Sequence, residues 1–158
     1  MKAVLDTSPV SYLILIGEVG LLPALYNGLS IPSAVSAELL HPKAPLVIRR
    51  WMGDRPAWLE VRPIGLSPAR GLARLQAGER EAILLAEELG ADQVVLDDLE
   101  AREAALERGL KVTGLIGVLD QAATRGLIDL PTVLERLRRT NFHAAPRLLK
   151  DLLDRHAR

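Results

Sequence analysis

The chain has 158 residues and no cysteine, and its 20 basic and 20 acidic side chains give a formal net charge of zero. Zero net charge excludes a strongly basic nucleic-acid binder, so any contact with nucleic acid must come from local arginine clusters. The lack of cysteine excludes disulfides, thiolate catalysis and cysteine-based zinc sites, and it fits a reducing compartment, for which the cytoplasm is the default.

We do not expect the first residues of this sequence to act as an export signal, because Asp6 interrupts the first apolar run almost at once. The longest apolar stretch, Tyr12–Tyr26, contains a glutamate, two glycines and a proline, and it falls short of the roughly 20 apolar residues that span a bilayer. The chain is most simply one domain, residues 1–158, able to bury roughly two thirds of its unfolded surface. We therefore expect a soluble cytoplasmic protein with no membrane segment.

In chain order, short apolar runs alternate with helical segments. The predicted strands are Lys2–Asp6, Leu29–Ile31, Trp58–Arg62, Gln93–Asp97 and Lys111–Thr113. Prolines bracket the third strand, which is therefore expected at a sheet edge. The predicted helices run from the Thr7-Ser8-Pro9 cap to about Ile16, then over Val19–Tyr26, Ser33–Leu40, Pro45–Met52, a stretch opened by Ser67-Pro68 and divided by Gly78, Glu79–Leu89, Leu99–Arg108, Leu115–Arg125, Pro131–Arg139 and Ala145–His156. This alternation implies a mostly parallel sheet covered on both faces, with a C-terminal helical extension over about 131–158.

Acidic side chains follow two of the predicted strands. Asp6 ends the first strand, and Asp97 and Asp98 end the fourth. A carboxylate at the C-terminal tip of a strand in an open α/β sheet points into the ligand-binding crevice, and several such charges repel one another unless a divalent cation neutralises them. The pattern predicts a metal-binding enzyme. The alternative is that these aspartates cap the helices that follow, although a cap uses one carboxylate and leaves the other of the Asp97-Asp98 pair unexplained.

Two glutamates on predicted helices are further candidates. Winding the helix Glu79–Leu89 at 100° per residue places Glu79 on the apolar stripe and Glu81 on the outer face. The alternative for Glu79, in the first turn, is that it complements the helix dipole. Glu38 lies near the end of a mostly apolar helix, where an exposed helix-end glutamate is an equally good interpretation.

Together these acids and their neighbours resemble the motifs of PIN-domain nucleases, in particular the bacterial and archaeal subfamily related to VapC-type toxins. The segments that carry the resemblance are Leu5-Asp6-Thr7-Ser8, Val35-Ser36-Ala37-Glu38-Leu39, Gly78-Glu79-Arg80-Glu81-Ala82, Leu96-Asp97-Asp98 with Ala101-Arg102, and Val112-Thr113-Gly114. They cover nearly the whole chain in the order and spacing of that family.

The resemblance implies a three-layer sandwich with a central, mostly parallel sheet of four or five strands. It also implies a crevice whose acids hold one or two Mg2+ or Mn2+ ions. The activity that it implies is cleavage of single-stranded RNA. The implied ligands or water-orienting carboxylates are Asp6, Glu38, Glu79 and Asp97, with Asp98 as a supplement or substitute. The chain departs from the family at Glu79, where relatives usually have aspartate, which leaves Glu81 as an alternative ligand. It also has Val95 where the fold often has a hydroxyl residue.

Carboxylates without cysteine or paired histidine favour hard cations bound through oxygen, so Mg2+ or Mn2+ fits better than zinc. Such an ion activates a water for attack on a phosphodiester, and the family implies a 5'-phosphate product. RNA must still approach an acidic crevice, which requires positive charge at the rim. The candidate residues are Arg49, Arg50, Arg102, Arg136, Arg138 and Arg139, whose alternative role is pairing with Glu100, Glu103 and Glu135 on solvated helix faces.

Other readings fit less well or stay open. A phosphatase that uses Asp6 as nucleophile needs a second aspartate where Ser8 stands, and a receiver domain needs a lysine where Thr113 stands. From another class, the chain could be an inactive PIN-fold binding protein or the partner of an antitoxin. The three histidines are scattered and receive no catalytic role. A leucine stripe over Leu148–Leu153 packs on its own domain or on a second subunit, and family habit favours a homodimer.

Overall fold

The computed structural model describes residues 1–66 and 68–157. Five strands alternate with helices along this part of the chain. The strands are β1 (Lys2–Leu5), β2 (Gly28–Pro32), β3 (Leu59–Arg62), β4 (Gln93–Val95) and β5 (Val112–Thr113). The helices are α1 (Thr7–Leu15), α2 (Leu21–Leu25), α3 (Ser33–Leu39), α4 (Leu46–Gly53), α5 (Ala77–Leu89), α6 (Leu99–Glu107), α7 (Leu115–Thr124), α8 (Leu130–Arg138) and α9 (Pro146–His156).

The strands form one sheet in the order β3-β2-β1-β4-β5, and every pairing is parallel. Val4 of the central strand β1 is in register with Ser30 on one side and Val94 on the other. The chain builds outward from β1 in one direction through β2 and β3, and then returns to add β4 and β5 on the other side. The switch point between β1 and β4 is where an open α/β sheet forms its ligand crevice. The expected parallel sheet is confirmed, and β3 lies at an edge as predicted.

Side chains of β1 alternate between two buried clusters, one on each face of the sheet. Ala3 and Leu5 pack into the larger cluster with α1, α7 and α8, whereas Val4 packs into the smaller cluster with α5 and α6. This alternation is the two-residue period of a strand, and burial on both faces explains why the strands read as continuous apolar runs. The predicted arrangement with helices on both sides of the sheet is therefore confirmed.

The start of α5 differs from the prediction. Ser67 lies outside the described residues, and residues 68–76 form turns rather than a helix. The helix begins at Ala77 because Gln76 and Glu79 form a capping box, in which the backbone N–H of Gln76 donates to Oε1 of Glu79 at 3.1 Å. Gly78 consequently lies in the first turn of α5 and does not divide two helical stretches.

The leucine stripe of α9 packs mainly on its own chain. Leu152 is completely buried in the larger cluster, and Leu149 and Leu153 pack partly against it, whereas Leu148 remains 46% exposed. The end of α9 is also fastened to α7, since His156 Nε2 lies 2.7 Å from Oδ1 of Asp120. In the described part of the chain, no helix combines the length and apolar character that crossing a membrane requires.

Candidate active site

The carboxyl edge of the sheet gathers the ends of β1 and β4 and the first turns of three helices. Asp6 joins β1 to α1, and its backbone N–H donates to the carbonyl of Val95 at 3.1 Å. Asp97 and Asp98 lie between β4 and α6, and Gly114 lies between β5 and α7. Helix N-termini carry unpaired N–H groups and a partial positive charge, so this edge is suited to negatively charged groups.

Asp6 is the most buried of the predicted site residues, with 6% of its surface exposed. The pKa of its carboxyl is raised from 3.8 to about 7: burial is the largest cause, the backbone N–H of Thr7 opposes it, and repulsion from Glu79, Glu38 and Asp97 adds to it. Three other predicted acids therefore lie within electrostatic reach of Asp6. A cation in the crevice would relieve that repulsion and favour the ionised form of Asp6.

Glu38, in the last turn of α3, reaches the same place as Asp6. Both carboxylates border Gly78: a β-carbon built on that residue would lie 2.7 Å from Oε1 of Glu38 and 3.2 Å from Oδ1 of Asp6. The hydroxyl of Thr7 donates to Oε2 of Glu38 at 2.5 Å and so orients this carboxylate from the first turn of α1. The alternative of an exposed helix-end glutamate is wrong, because Glu38 is half-buried and hydrogen-bonded inside the crevice.

Asp97 approaches from the opposite side of the β1–β4 switch point. Its Oδ1 accepts a hydrogen bond of 2.8 Å from the backbone N–H of Leu115, at the start of α7. Its Oδ2 is buried and has no hydrogen-bond partner among the described residues. Burial raises the pKa of the Asp97 carboxyl, against the opposing effects of Leu115 N–H, Arg102 and the Ser8 hydroxyl. Burying a carboxylate oxygen without a hydrogen-bond donor costs folding free energy, unless a bound ligand interacts with that oxygen.

Glu79 has two roles available to it. Its Oε1 closes the capping box at the start of α5. Burial raises the pKa of its carboxyl, the Gln76 N–H lowers it, and repulsion from Asp98, Glu38 and Glu100 raises it again. The side chain is therefore within electrostatic reach of other acids, and the predicted interaction with the helix start is seen in the capping box.

The outward placement predicted for Glu81 is wrong. Glu81 is half-buried, and its Oε1 accepts a hydrogen bond of 3.0 Å from the backbone N–H of Ala34 in the first turn of α3. The reason is that α5 packs against the sheet and α3 together, so Ala82 to Ala86 are all buried and the apolar face is wider than one stripe. Glu81 therefore uses one carboxylate oxygen at the start of α3.

Asp98 is exposed and occupies the N-cap of α6, where its Oδ2 accepts a hydrogen bond of 3.0 Å from the backbone N–H of Ala101. Of the two adjacent aspartates, Asp98 thus takes the capping role and Asp97 is left for the crevice. The only link of Asp98 to the other predicted acids that the described residues show is its repulsion of Glu79.

The donor set fits a hard divalent cation, with one restriction. Glu38 and Asp97 lie within electrostatic reach of Asp6, and Oδ2 of Asp97 has no hydrogen-bond donor among the residues that the structure describes. Gly78 leaves the space of a missing β-carbon between Asp6 and Glu38. Within residues 1–66 and 68–157, however, no three acidic or histidine side chains are gathered closely enough to enclose one ion as they stand. Glu38, Glu79 and Asp97 each use one carboxylate oxygen on a protein donor, which leaves the second oxygen of each available to a ligand.

Several of the arginines predicted to contact RNA at the rim are engaged by other groups of the protein. Arg136 pairs with Glu18, and Arg138 pairs with Glu135 as the alternative reading proposed. Arg49 donates to the carbonyl of Ala44. Arg102 lies in the crevice, where its Nη1 donates to the carbonyl of Leu96 at 2.9 Å.

Sequence reasoning did not assign a role to the glycines of the site. A β-carbon on Gly114 would lie 2.7 Å from both Oδ1 of Asp97 and Nη1 of Arg102, so Gly114, like Gly78, leaves room for charged side chains. Both glycines stand inside the motifs Gly-Glu and Thr-Gly that carried the family resemblance, and that position was the available signal. The hydroxyls of Thr7 and Ser8 act on Glu38 and Asp97, whereas the sequence predicts them only as members of a helix cap and of the motif Leu5-Asp6-Thr7-Ser8.

Comparison with known proteins assigns the family. The model of the DUF3368 family, described as a PIN domain, matches residues 2–158, and the chain belongs to this family. Among solved structures, a PilT N-terminus domain protein from the hyperthermophilic archaeon Sulfolobus solfataricus is similar with a TM-score of 0.53 and 18% sequence identity. The match covers 91% of this chain and 100% of that one, and it supports the fold. Among curated protein sequences, a search finds no match. PIN domains are generally nucleases, and such nucleases typically use divalent metal ions.

Proposed function

We propose that the protein is an endoribonuclease that hydrolyses single-stranded RNA with the help of Mg2+ or Mn2+. The main observation in support is that the carboxylates of Asp6 and Glu38 both border Gly78, at the switch point of a PIN-domain sheet. Carboxylates this close are stable together only when a cation or a proton compensates their charge. Asp97, which follows β4, lies within electrostatic reach of Asp6, and its buried Oδ2 has no hydrogen-bond partner in the described part of the chain.

In this proposal Asp6, Glu38, Glu79 and Asp97 hold the ion or ions, and Asp98 supports them from the cap of α6. When bound, the cation lowers the pKa of a water and neutralises charge on the phosphate. The protein's part is orientation. Thr7 holds Glu38 by one oxygen, and Leu115 N–H holds Asp97 by Oδ1, so the second oxygen of each carboxylate would be left for the ion.

The approach of RNA is favoured by the backbone of the crevice. The first turns of α1, α6 and α7 lie at the carboxyl edge of the sheet, and helix N-termini attract phosphate through their N–H groups and dipoles. The charge of Arg102 adds to this attraction. Positive groups around the acids are required because each phosphate of the substrate is itself negative.

The finer assignment within the family is also part of the proposal. We place the chain with the VapC-type toxins of toxin-antitoxin pairs, acting in the cytoplasm as a homodimer and held inactive by an antitoxin protein. The support is the order of its motifs, from Asp6 through Gly78-Glu79 and Asp97-Asp98 to Val112-Thr113-Gly114. Sequencing the adjacent open reading frame and co-purifying its product with this chain tests the antitoxin directly.

A second candidate function is binding of RNA or protein without cleavage. Two observations favour it: Glu79 and Asp98 each use a carboxylate oxygen to begin a helix, and no three acids of the described residues converge tightly. In this alternative the acids are remnants, or they act only as a binding surface.

Incubation of the purified protein with end-labelled single-stranded RNA in Mg2+, Mn2+ or EDTA separates the two functions. The nuclease proposal predicts cleavage with either metal, 5'-phosphate ends, no cleavage in EDTA, and loss of cleavage in Asp6→Asn. Asp54→Asn is the matched control, because Asp54 is an exposed aspartate at the end of α4. Cleavage that persists in EDTA or in Asp6→Asn contradicts the proposal, and RNA that is bound but left intact in both metals favours the second function.

A further inference from the structure

Arg102 is an arginine that lies inside the acidic crevice and is fixed there by the backbone. It is half-buried in the second turn of α6, and its Nη1 donates to the carbonyl of Leu96, at the end of β4. The same nitrogen and Oδ1 of Asp97 both lie 2.7 Å from the point where a β-carbon on Gly114 would stand. The guanidinium therefore occupies a defined position beside an acid of the site.

Arg102 forms no salt bridge with a carboxylate of the described residues. Arg62, Arg108, Arg136, Arg138 and Arg155 each pair with a carboxylate, whereas Arg102 has no such pair in the described part of the chain. Asp97 lies nearby, but its Oδ1 is taken by the N–H of Leu115. A guanidinium has five N–H donors, and Leu96 accounts for one of them.

A cation that is fixed, half-buried and unpaired beside carboxylates suits a phosphate. The fork of N–H groups matches two phosphate oxygens, and such charge-assisted bidentate bonds are stronger than neutral ones. The anchoring bond to Leu96 reduces the side-chain entropy that would be lost when a ligand binds. A lysine at the same position would supply charge without the fork.

We propose that Arg102 binds a backbone phosphate of the RNA next to the acids and so sets the position of the strand along the crevice. This inference rests on the proposed function, because it assumes that RNA enters the site. It differs from a purely structural role, in which Arg102 only ties the end of β4 to α6. The two roles predict different responses of RNA affinity to salt.

The test measures RNA binding in the Asp6→Asn background with Mn2+, where no cleavage is expected, at several salt concentrations. Adding Arg102→Gln should weaken binding about tenfold, the loss of one charge-assisted contact. It should also reduce the slope of log affinity against log salt by about 0.7, the contribution of one phosphate contact on a single strand. Arg102→Lys should keep the slope and still bind more weakly than arginine.

Arg125→Gln is the matched control. Its Nη1 also donates to a backbone carbonyl, that of Ala24 at 3.0 Å, but it lies at the end of α7, away from the carboxyl edge of the sheet. The RNA affinity of the Arg125→Gln variant, and the slope of that affinity with salt, should equal those of the background protein. Thermal melting of each variant shows how much of any effect is loss of fold.

Affinity and slope in Arg102→Gln that equal those of the background overturn the inference, even if the variant melts at lower temperature. If Arg102→Gln does not fold, Arg102→Lys decides, since unchanged affinity in that variant overturns the inference as well. Failure of the background protein and of the native chain to bind RNA at all contradicts the proposed function itself, which is a different result.

Discussion

Gly78 lies against Glu38 so closely that a β-carbon on Gly78 would stand 2.7 Å from Oε1 of Glu38. Real β-carbons do not make such contacts, so any side chain at this position must displace the carboxylate. The displaced atom is the end of a flexible side chain rather than backbone, which makes the movement cheap for the fold. Glycine at position 78 therefore makes room for the carboxylate of Glu38. It does not favour the helix, because alanine is the better helix former.

Gly78→Ala should separate activity from stability. The gain in helix propensity, about 1 kcal/mol, offsets the loss of the Thr7–Glu38 hydrogen bond, so the free energy of unfolding should change by less than about 1 kcal/mol. RNA cleavage should fall by about two orders of magnitude, because a catalytic group moved by an ångström loses its geometry. Urea unfolding and single-turnover cleavage give the two quantities.

The matched control is Gly53→Ala, since Gly53 ends α4 with nothing within 4 Å of its added β-carbon and has no strained backbone. This variant should keep full cleavage activity. Full activity in Gly78→Ala would show that Glu38 does not need its present position.

Asp6 makes the stability of the protein fall as pH rises. Its pKa is about 7 in the native state against an ordinary 3.8, so between these values the native state holds a proton that the unfolded chain has released. The free energy of unfolding therefore decreases from pH 4 to above pH 7, by up to about 4 kcal/mol from this group alone. Asp6→Asn carries no charge, and it should be more stable than the native chain above pH 7 and similar to it near pH 4.

Urea unfolding in EDTA at pH 4.5, 6 and 8 measures this difference. The stability gap between Asp6→Asn and the native chain should widen as pH rises. A gap that stays constant, or that narrows towards pH 8, contradicts the burial of Asp6 as the cause.

Glu79 and Glu81 offer a matched pair two residues apart on one helix. Glutamine keeps both helix-start hydrogen bonds, to Gln76 N–H and to Ala34 N–H, and it removes only the charge. Glu79→Gln should therefore leave the free energy of unfolding within about 0.5 kcal/mol of the native value while cleavage falls at least tenfold. Glu81→Gln should change neither property. Loss of cleavage in Glu81→Gln with full activity in Glu79→Gln would reverse the assignment of the ligand.

Asp98 can be tested as a cap against its proposed supporting role. Asparagine is as good an N-cap as aspartate, whereas alanine loses the bond to Ala101 N–H and costs about 1 kcal/mol. If Asp98 only caps α6, Asp98→Asn should match the native chain in both stability and cleavage. A metal-supporting role predicts that Asp98→Asn keeps its stability and loses part of its cleavage rate at limiting Mn2+. Melting temperature and a Mn2+ titration of the rate distinguish these outcomes.

The parts of the structure that follow from local rules were predictable. The strand ending at Asp6, the edge strand before Pro63 and the helix stopped by Gly90 depend on apolar runs, proline and a left-handed cap, all of which are local. Asp6 and Asp97 are predicted at the site because parallel strands place their carboxyl ends at one edge. Pattern alone therefore yielded the layer order, whereas the full set of candidate acids rested on the family resemblance as well.

The misplaced features depend on contacts between distant segments. Glu81 accepts a hydrogen bond from Ala34 because α5 packs on both the sheet and α3. A helical wheel of α5 shows only the faces of that helix and cannot show that α3 packs against it. The roles of Gly78 and Gly114 depend on side chains that reach them from other elements, namely Glu38 and Asp97. The start of α5 depends on a capping box between Gln76 and Glu79, and glutamine is not one of the usual N-cap residues by which a helix start is predicted.

The leucine stripe of α9 gives the last prediction, which concerns assembly. Leu152 is fully buried in the core of its own chain, so Leu152→Ala should destabilise the fold by roughly 2–5 kcal/mol through lost burial and a cavity. Leu148 is 46% exposed, and Leu148→Ala should change stability by less than about 0.5 kcal/mol. Chemical unfolding measures both. Sedimentation should show the same assembly state for Leu148→Ala and the native chain, because most of the stripe is already covered from within. Dissociation of a native dimer by Leu148→Ala would instead place this helix at a subunit interface.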